Sequence, residues 1–259
     1  MTTFVPQKAQ IMALIHSFEK SGNWLFKHRG ELPVMLFVLA IPVVYFTNTD
    51  YLSDEHEILL SLFAIFLSLL GFAIRSYAIG TTPKGTSGRN TKEGQVAESL
   101  NSTGIYSVLR HPLYVGNYFM WIGIVVFTFN FSFVIIISLA FWLYYERIMF
   151  AEERFLEKKF GSTYMDWSLT TPAFLPSFKN YKKNVIPFSV KSVLRREYSG
   201  ALATVLGFVF VDQIRYYAYH GIYNLSRLST AILIVTGLIA LLLRSFKHYT
   251  NLLQEEGRS

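Results

Sequence analysis

Long apolar segments alternate with polar stretches along the whole chain. Before them, residues 8–27 place apolar side chains at helical spacing among polar ones, which is typical of an amphipathic helix lying on a membrane. A helix needs about 17 to 25 mostly apolar residues to cross a bilayer. The pattern therefore predicts about six transmembrane helices. The predicted spans are 31–48, 58–80, 111–129, 132–150, 200–211 and 228–243.

Two of these spans are separated by only Asn130 and Phe131. So short a connection predicts a tight helical hairpin over 111–150, whose two ends lie on the same side of the membrane. The last two apolar segments are shorter, and they form either one hairpin or two partly inserted helices. Arg75 lies near the end of the second span, where its long side chain can snorkel towards the interface.

Charge predicts the orientation of these spans. Residues 49–57 contain four carboxylates and no Lys or Arg, whereas 81–110 and 151–199 are rich in basic residues. Cytoplasmic loops of membrane proteins carry an excess of Lys and Arg. The acidic loop is therefore expected outside and both termini in the cytoplasm, with Arg215 and Arg227 as the exceptions.

The amino-acid composition limits which class of protein this is and which kinds of functional site it can contain. Of the 259 residues, 52% are hydrophobic and only 16% are charged, against roughly 25% charged in soluble domains. The chain has no cysteine, which excludes disulfides and thiolate chemistry, and no metal-ligand spacing is present. The net charge is +7, and the basic residues lie beside apolar segments. This placement favours an anionic lipid surface over nucleic acid as the binding partner. We expect an all-α integral membrane protein in the lipid bilayer, without metal or nucleic acid.

The third predicted span opens with Arg110, His111 and Pro112. Proline suits the first position of a helix, so a helix is expected to begin at Pro112. Four polar or aromatic residues then follow at positions i, i+3, i+4 and i+7, which lie on one helix face. An amide that faces lipid without a partner is costly, so Asn117 should face protein, water or ligand. The face consists of Tyr114, Asn117, Tyr118 and Trp121.

The hairpin should bring a second charged segment back to the same membrane surface. This segment contains Glu146, Arg147, Glu152 and Glu153 at the end of the fourth span. Together the two ends offer an arginine, a histidine, a tyrosine and carboxylates beneath aromatic side chains. Such a set suits a small zwitterionic molecule with an aromatic part. The structural alternative is that Arg110 and its neighbour only anchor a helix end at the interface.

These motifs resemble the isoprenylcysteine carboxyl methyltransferase family, whose core is shared by phospholipid N-methyltransferases. The first half, 103–116, carries Thr-Gly-x-Tyr and then Arg-His-Pro-x-Tyr-x-Gly. The second half, 147–164, carries Arg-Ile, a Glu-Glu pair, Leu, Phe-Gly and Tyr. Trp167 stands where the family often has another tyrosine. The resemblance covers roughly residues 58–178.

The resemblance implies a site for S-adenosylmethionine at the cytoplasmic membrane face, without a Rossmann domain. His111 and Tyr114 would hold the methionine part of this cofactor, and Glu153 would hold its amino group. Apolar residues around Leu109 would line the adenine. With Asn117 and Arg147 from the two ends of the hairpin, the expected cofactor-binding residues are Leu109, His111, Tyr114, Asn117, Arg147 and Glu153.

Arg110 and Glu152 would then face the methyl acceptor as the catalytic residues. An arginine holds a carboxylate or phosphate oxygen without protonating it, whereas an amine acceptor would need Glu152 as a base. The expected acceptor is a membrane lipid or lipidated substrate, with a carboxylate or phosphate oxygen favoured. Its expected contacts are Tyr118, Trp121, Tyr164 and Trp167.

This interpretation divides the chain into three parts: an amphipathic segment (1–30), a membrane methyltransferase core (31–180) and a basic segment with two apolar helices (181–259).

Other functions fit part of the pattern. NADPH-dependent sterol or steroid reductases carry a similar Arg-His-Pro-x-Tyr segment, but near their C-terminal end, and here about 140 residues follow it. A phospholipid N-methyltransferase and a non-enzymatic scaffold or channel component are the remaining alternatives.

Overall fold

The protein is described by a computed structural model that covers residues 14–30, 32–49, 52–86, 89–91 and 94–258. Within these residues the regular secondary structure is mainly helical, as predicted. The exceptions are a 3-10 turn, Gly104–Ser107, and a two-stranded antiparallel hairpin of Arg89–Thr91 and Gly94–Val96. The helices are α1 Leu14–Lys27, α2 Leu32–Phe46, α3 Asp54–Gly80, α4 Pro112–Val126, α5 Phe131–Phe160, α6 Ser162–Thr170, α7 Val190–His220 and α8 Arg227–Tyr249.

Every predicted span corresponds to one helix, namely α2, α3, α4, α5, α7 or α8. Three of them, α3, α5 and α8, are long and apolar enough to cross a membrane, while α2 and α4 are apolar but shorter. Helix α7 has 31 residues, but Asp212 and Arg215 interrupt its apolar part. An integral membrane protein is thus confirmed, whereas the number of full crossings and the orientation of the termini stay predictions.

The amphipathic N-terminal segment forms α1, and its first residues, 8–13, lie outside the described part of the chain. Helix α1 packs against the later half of α5. Gly22 allows the approach, because a Cβ there would lie 2.0 Å from the carbonyl oxygen of Arg147. Phe26 is buried in the same interface.

The predicted helical hairpin is confirmed. Helix α4 begins at Pro112, as expected, and the chain turns after Val126 through Phe129, whose φ is +57°. Asn130 then caps α5, because its side chain accepts a hydrogen bond of 2.9 Å from the amide of Phe133. The start of α4 and the end of α5 therefore lie at the same end of the helix bundle.

Small residues let α3 and α4 pack closely. A Cβ on Gly71 would lie 2.4 Å from the Gly116 carbonyl oxygen, and one on Gly123 would lie 2.2 Å from Ser68 Oγ. That hydroxyl donates to the carbonyl of Met120 at 2.9 Å. The face of α4 that carries Gly116, Met120 and Gly123 is therefore the contact with α3, in keeping with small-residue packing in membrane helices.

Helix α7, the first of the two C-terminal helices, shares a hydrophobic core with the helices before it. Val44 of α2, Val125 of α4, Ile137 of α5 and Val211 of α7 are buried in one cluster. Helix α7 also contacts α3. Residues beyond 180 are thus packed into the same bundle as the segment that carries the motifs.

We expect Gly71→Ala to lower the thermal midpoint of the purified, detergent-solubilised protein. The added Cβ would meet backbone atoms of α4, and overpacking of this kind costs about 1–3 kcal/mol. The control is Gly237→Ala in α8, where a Cβ would meet nothing within 4 Å. Circular dichroism on heating measures both variants, and equal midpoints for the two would contradict the packing argument.

Candidate active site

A cavity of about 590 Å³ lies among α2, α3, α4, α5 and α7. Its lining on α4 runs from Pro112 to Ile124, which is about 18 Å along a helix. Charged side chains from helix ends line one part of it, including Arg110 and Glu152, while Phe37 and Trp121 line the deeper part. The volume is in the range usual for small-molecule sites.

Glu153 joins the two ends of the hairpin. It receives a bidentate ion pair from Arg110, with Nε–Oε1 at 2.9 Å and Nη2–Oε2 at 3.2 Å. Nε2 of His111 lies 2.8 Å from the same Oε1, and it donates, because a carboxylate can only accept. The Nη1 of Arg110 donates to the carbonyls of Ser168 and Thr171 at 2.7 and 2.8 Å. All three nitrogens of this guanidinium therefore donate within the protein.

The side chain of Glu152 points in a different direction from that of Glu153. Its carboxylate lines the cavity, and Glu153 is not among the lining residues. The Tyr114 hydroxyl donates to Glu152 Oε2 at 2.8 Å, and Nδ1 of His111 lies 3.7 Å from that oxygen. The ring of Tyr114 rests against Tyr145, with centroids 4.8 Å apart. Glu152 thus presents a negative charge to the cavity beside aromatic side chains.

A second network of hydrogen bonds links α3, α4, α5 and α7 beside the cavity. Arg75 does not snorkel: its Nε and Nη2 donate to both oxygens of Glu197 at 2.7 and 2.6 Å. Its Nη1 donates to Asn117 Oδ1 at 2.6 Å, and Nδ2 of that amide donates to the Tyr145 hydroxyl at 3.0 Å. The expectation that Arg75 reaches the interface is wrong because a buried carboxylate on α7 offers it a partner. Asn117 faces protein and the cavity, as predicted.

Three further residues that the sequence assigned to the site are Leu109, Tyr164 and Trp167. Trp167 lines the cavity, and its Nε1 donates to the carbonyl of Tyr106 at 2.9 Å. Leu109 is buried beside the site but does not line the cavity. Burial raises the pKa of the Tyr106 phenol to about 12, and burial together with Glu153 raises the pKa of Tyr164. Both phenols are therefore neutral near pH 7.

Two assigned residues face other helices. The guanidinium of Arg147 lies 3.4 Å from the ring centroid of Phe18, because α1 packs beside α5. The Tyr118 hydroxyl donates to Ser138 at 3.0 Å and its ring contacts Phe141. Neither side chain lines the cavity.

Of the twelve residues that the sequence assigned to the site, seven line the cavity and five do not. Those at the cavity are Arg110, His111, Tyr114, Asn117, Trp121, Glu152 and Trp167. The others are Leu109, Tyr118, Arg147, Glu153 and Tyr164. Across the part of the chain that the structure describes, no group of three acidic or histidine side chains is arranged to hold a metal ion.

Sequence reasoning missed several residues of the lining. An ionisable residue within an apolar span is a functional candidate by default, and this signal could have identified Arg75. Glu197 gives no such signal, since it follows two arginines in a polar stretch. The missed lining residues include Arg29, Arg75, Tyr106, Tyr145, Arg196 and Glu197.

Comparisons with known proteins point to one family. Residues 59–163 match the family model of the phospholipid methyltransferases. A protein-S-isoprenylcysteine O-methyltransferase of Xenopus laevis is 28% identical over 161 residues, which are 62% of this chain and 55% of that protein. A nickel-cobalt-cadmium resistance protein of Alcaligenes xylosoxydans xylosoxydans is 34% identical over 89 residues, 34% of this chain and 41% of that protein. No solved structure matches the chain significantly.

The chain spans about half or less of the length of these relatives. The match covers α3, both helices of the hairpin and the Glu-Glu pair, which are the elements that build the polar part of the cavity. The resemblance inferred from the motifs is confirmed: residues 59–163 match the phospholipid methyltransferase family model, and the chain is similar to protein-S-isoprenylcysteine O-methyltransferases.

Proposed function

We propose that this protein is an S-adenosylmethionine-dependent methyltransferase that acts at the membrane surface on a lipid or lipid-linked acceptor. The observation that carries the proposal is that one cavity joins charged side chains from both halves of the motif to an apolar part between α2, α4 and α7. A soluble donor and a lipid acceptor could meet in such a cavity. The family match favours this function over the reductase and the scaffold.

The residues of the cavity fit the proposed donor. S-adenosylmethionine has a zwitterionic methionine part and an aromatic base, and it supplies a methyl group already activated on a sulfonium. A carboxylate on the wall, Glu152, suits an ammonium group, and the ring of Trp167 suits an adenine. The volume of about 590 Å³ leaves room for a molecule of this size.

The geometry supports a different division of roles between the two glutamates from the one that the resemblance implies. Glu152 lines the cavity and would bind the cationic part of the donor. Glu153 receives Arg110 and His111 and would hold both in place. Tyr114 would orient the Glu152 carboxylate through its hydroxyl.

The chain's part in methyl transfer would be to align the acceptor and exclude water. A carboxylate or phosphate oxygen is already a nucleophile and needs no base, so we propose O-methylation. The apolar part of the cavity, with Val34, Phe37 and Ile124, would take hydrocarbon of the acceptor. By the distribution of basic residues, the reaction would occur at the cytoplasmic face.

S-adenosylhomocysteine should bind the purified protein, and Glu152→Gln should weaken it about 10- to 100-fold, because hydrogen bonds to charged groups contribute about 1.5–3 kcal/mol. The matched control is Glu157→Gln on the same helix, whose carboxylate pairs with Arg154 outside the cavity. Isothermal titration calorimetry measures all three proteins. Binding of NADPH instead would support the reductase, and binding of neither would support the scaffold.

Tyr114→Phe should weaken S-adenosylhomocysteine about tenfold, since it removes one hydrogen bond to the proposed donor-binding carboxylate, and hydrogen bonds to charged groups contribute about 1.5–3 kcal/mol. Tyr118→Phe removes the same atom from a tyrosine one turn away that bonds only away from the cavity. The same calorimetric titration should give parental affinity for this control. Equal losses in the two variants would indicate a general loss of structure.

Radiolabelled methyl groups should pass from S-adenosylmethionine into a membrane lipid extract when the protein is added. A carboxylate acceptor gives a methyl ester, from which mild alkali should release the label as methanol, whereas a phosphate acceptor gives a methyl phosphodiester that resists mild alkali. The Glu152→Gln protein is the negative control. Label that mild alkali does not release as methanol would indicate a phosphate or an amine acceptor, and its recovery in an N-methylated head group would support phospholipid N-methylation.

A further inference from the structure

We propose that Arg75, held by Glu197 of α7, binds the anionic oxygen group of the lipid acceptor. This inference rests on the proposed function and deepens it. Helix α7 lies beyond the matched residues 59–163. The donor part of the site would then come from the matched segment and from Trp167 just after it, and acceptor recognition would depend on a later helix.

The guanidinium of Arg75 has donors to spare for a ligand. A guanidinium carries five N–H groups in a planar fork. The bonds to Glu197 and Asn117 use three of them, at 2.6 to 2.7 Å. Because Arg75 lines the cavity, its two remaining N–H groups can serve an oxygen anion bound there.

Arg110 is less suited to this task. Its Nε and Nη2 donate to Glu153, and its Nη1 donates to two backbone carbonyls at the end of α6. These contacts tie the start of α4 to α5 and α6. We therefore assign to Arg110 the positioning of these elements, and to Arg75 the contact with the acceptor.

Position along the cavity also favours Arg75. Its partner Asn117 lies one turn deeper in α4 than Tyr114, which bonds to Glu152, and one turn above Trp121. The guanidinium is thus located where the charged part of the cavity gives way to the apolar part. A lipid has its anionic head group joined to hydrocarbon at the corresponding point.

Stability alone does not explain the pair of Arg75 and Glu197. The Glu197 side chain is only 2% exposed, and buried ion pairs are often no more stabilising than apolar residues of similar volume. A bidentate carboxylate does, however, fix the plane of a guanidinium. Glu197 is therefore a positioning residue that presents the free edge of Arg75 to the cavity.

The test compares lipid binding with and without this ion pair. The probes are oleate, oleyl phosphate and oleyl alcohol, which share one chain and differ in head group. Each is titrated by thermophoresis into the protein saturated with S-adenosylhomocysteine. We expect the parent to bind oleate or oleyl phosphate at least tenfold more tightly than oleyl alcohol, and the anion that wins identifies the acceptor as a carboxylate or a phosphate.

The decisive variant is Arg75→Met with Glu197→Met, which replaces the pair by apolar side chains. It should lose the preference for an anion while its affinity for S-adenosylhomocysteine stays within twofold of the parent. The matched control, Arg154→Met with Glu157→Met, removes an ion pair outside the cavity and should keep the preference. A retained preference in the Arg75 and Glu197 double variant would overturn the inference.

A second variant keeps the inference testable if the double variant does not fold. Arg75→Lys keeps the positive charge but loses the planar fork, and it should reduce the preference for an anion by several fold; an unchanged preference would count against the inference. If the parent binds S-adenosylhomocysteine without preferring an anion, this inference fails alone. If the parent does not bind S-adenosylhomocysteine at all, the proposed function itself fails.

Discussion

The ion pair between Arg110 and Glu153 closes the hairpin of α4 and α5, and the geometry of the site depends on it. The two residues are 43 positions apart, and the turn after Val126 returns the chain so that they meet. His111 adds a second bond to the same carboxylate. Because these groups are shared between helix ends, the cavity wall is fixed by charge and hydrogen bonding as well as by apolar packing.

The same constraint acts deeper in the bundle. Polar groups away from water are costly unless they are paired, and four of the five helices around the cavity each contribute one member of a bonded set. Arg75 of α3, Asn117 of α4, Tyr145 of α5 and Glu197 of α7 form that set. The close approach of α3 and α4 through Gly71 brings two of these members into range. Packing of small residues and pairing of polar ones are therefore parts of a single arrangement.

What the sequence predicted correctly was local in origin. The start of α4 at Pro112 follows from the preference of proline for the first helical position, the hairpin from a two-residue connection, and the partnered Asn117 from the cost of an unpaired group. What it missed depends on which helices become neighbours. Arg147 turns to α1 and Arg75 turns to α7, and neither contact leaves a signal in the spacing of residues.

The Glu-Glu pair illustrates why a motif alone does not assign roles. Successive residues of an α-helix project about 100° apart, since a turn takes 3.6 residues. Glu152 and Glu153 therefore project in different directions: the first lines the cavity, and the second receives Arg110 and His111. A pair of acidic residues at this position serves two purposes at once, because one of them must balance the charges that hold the hairpin closed. Only the other is then available to a bound molecule.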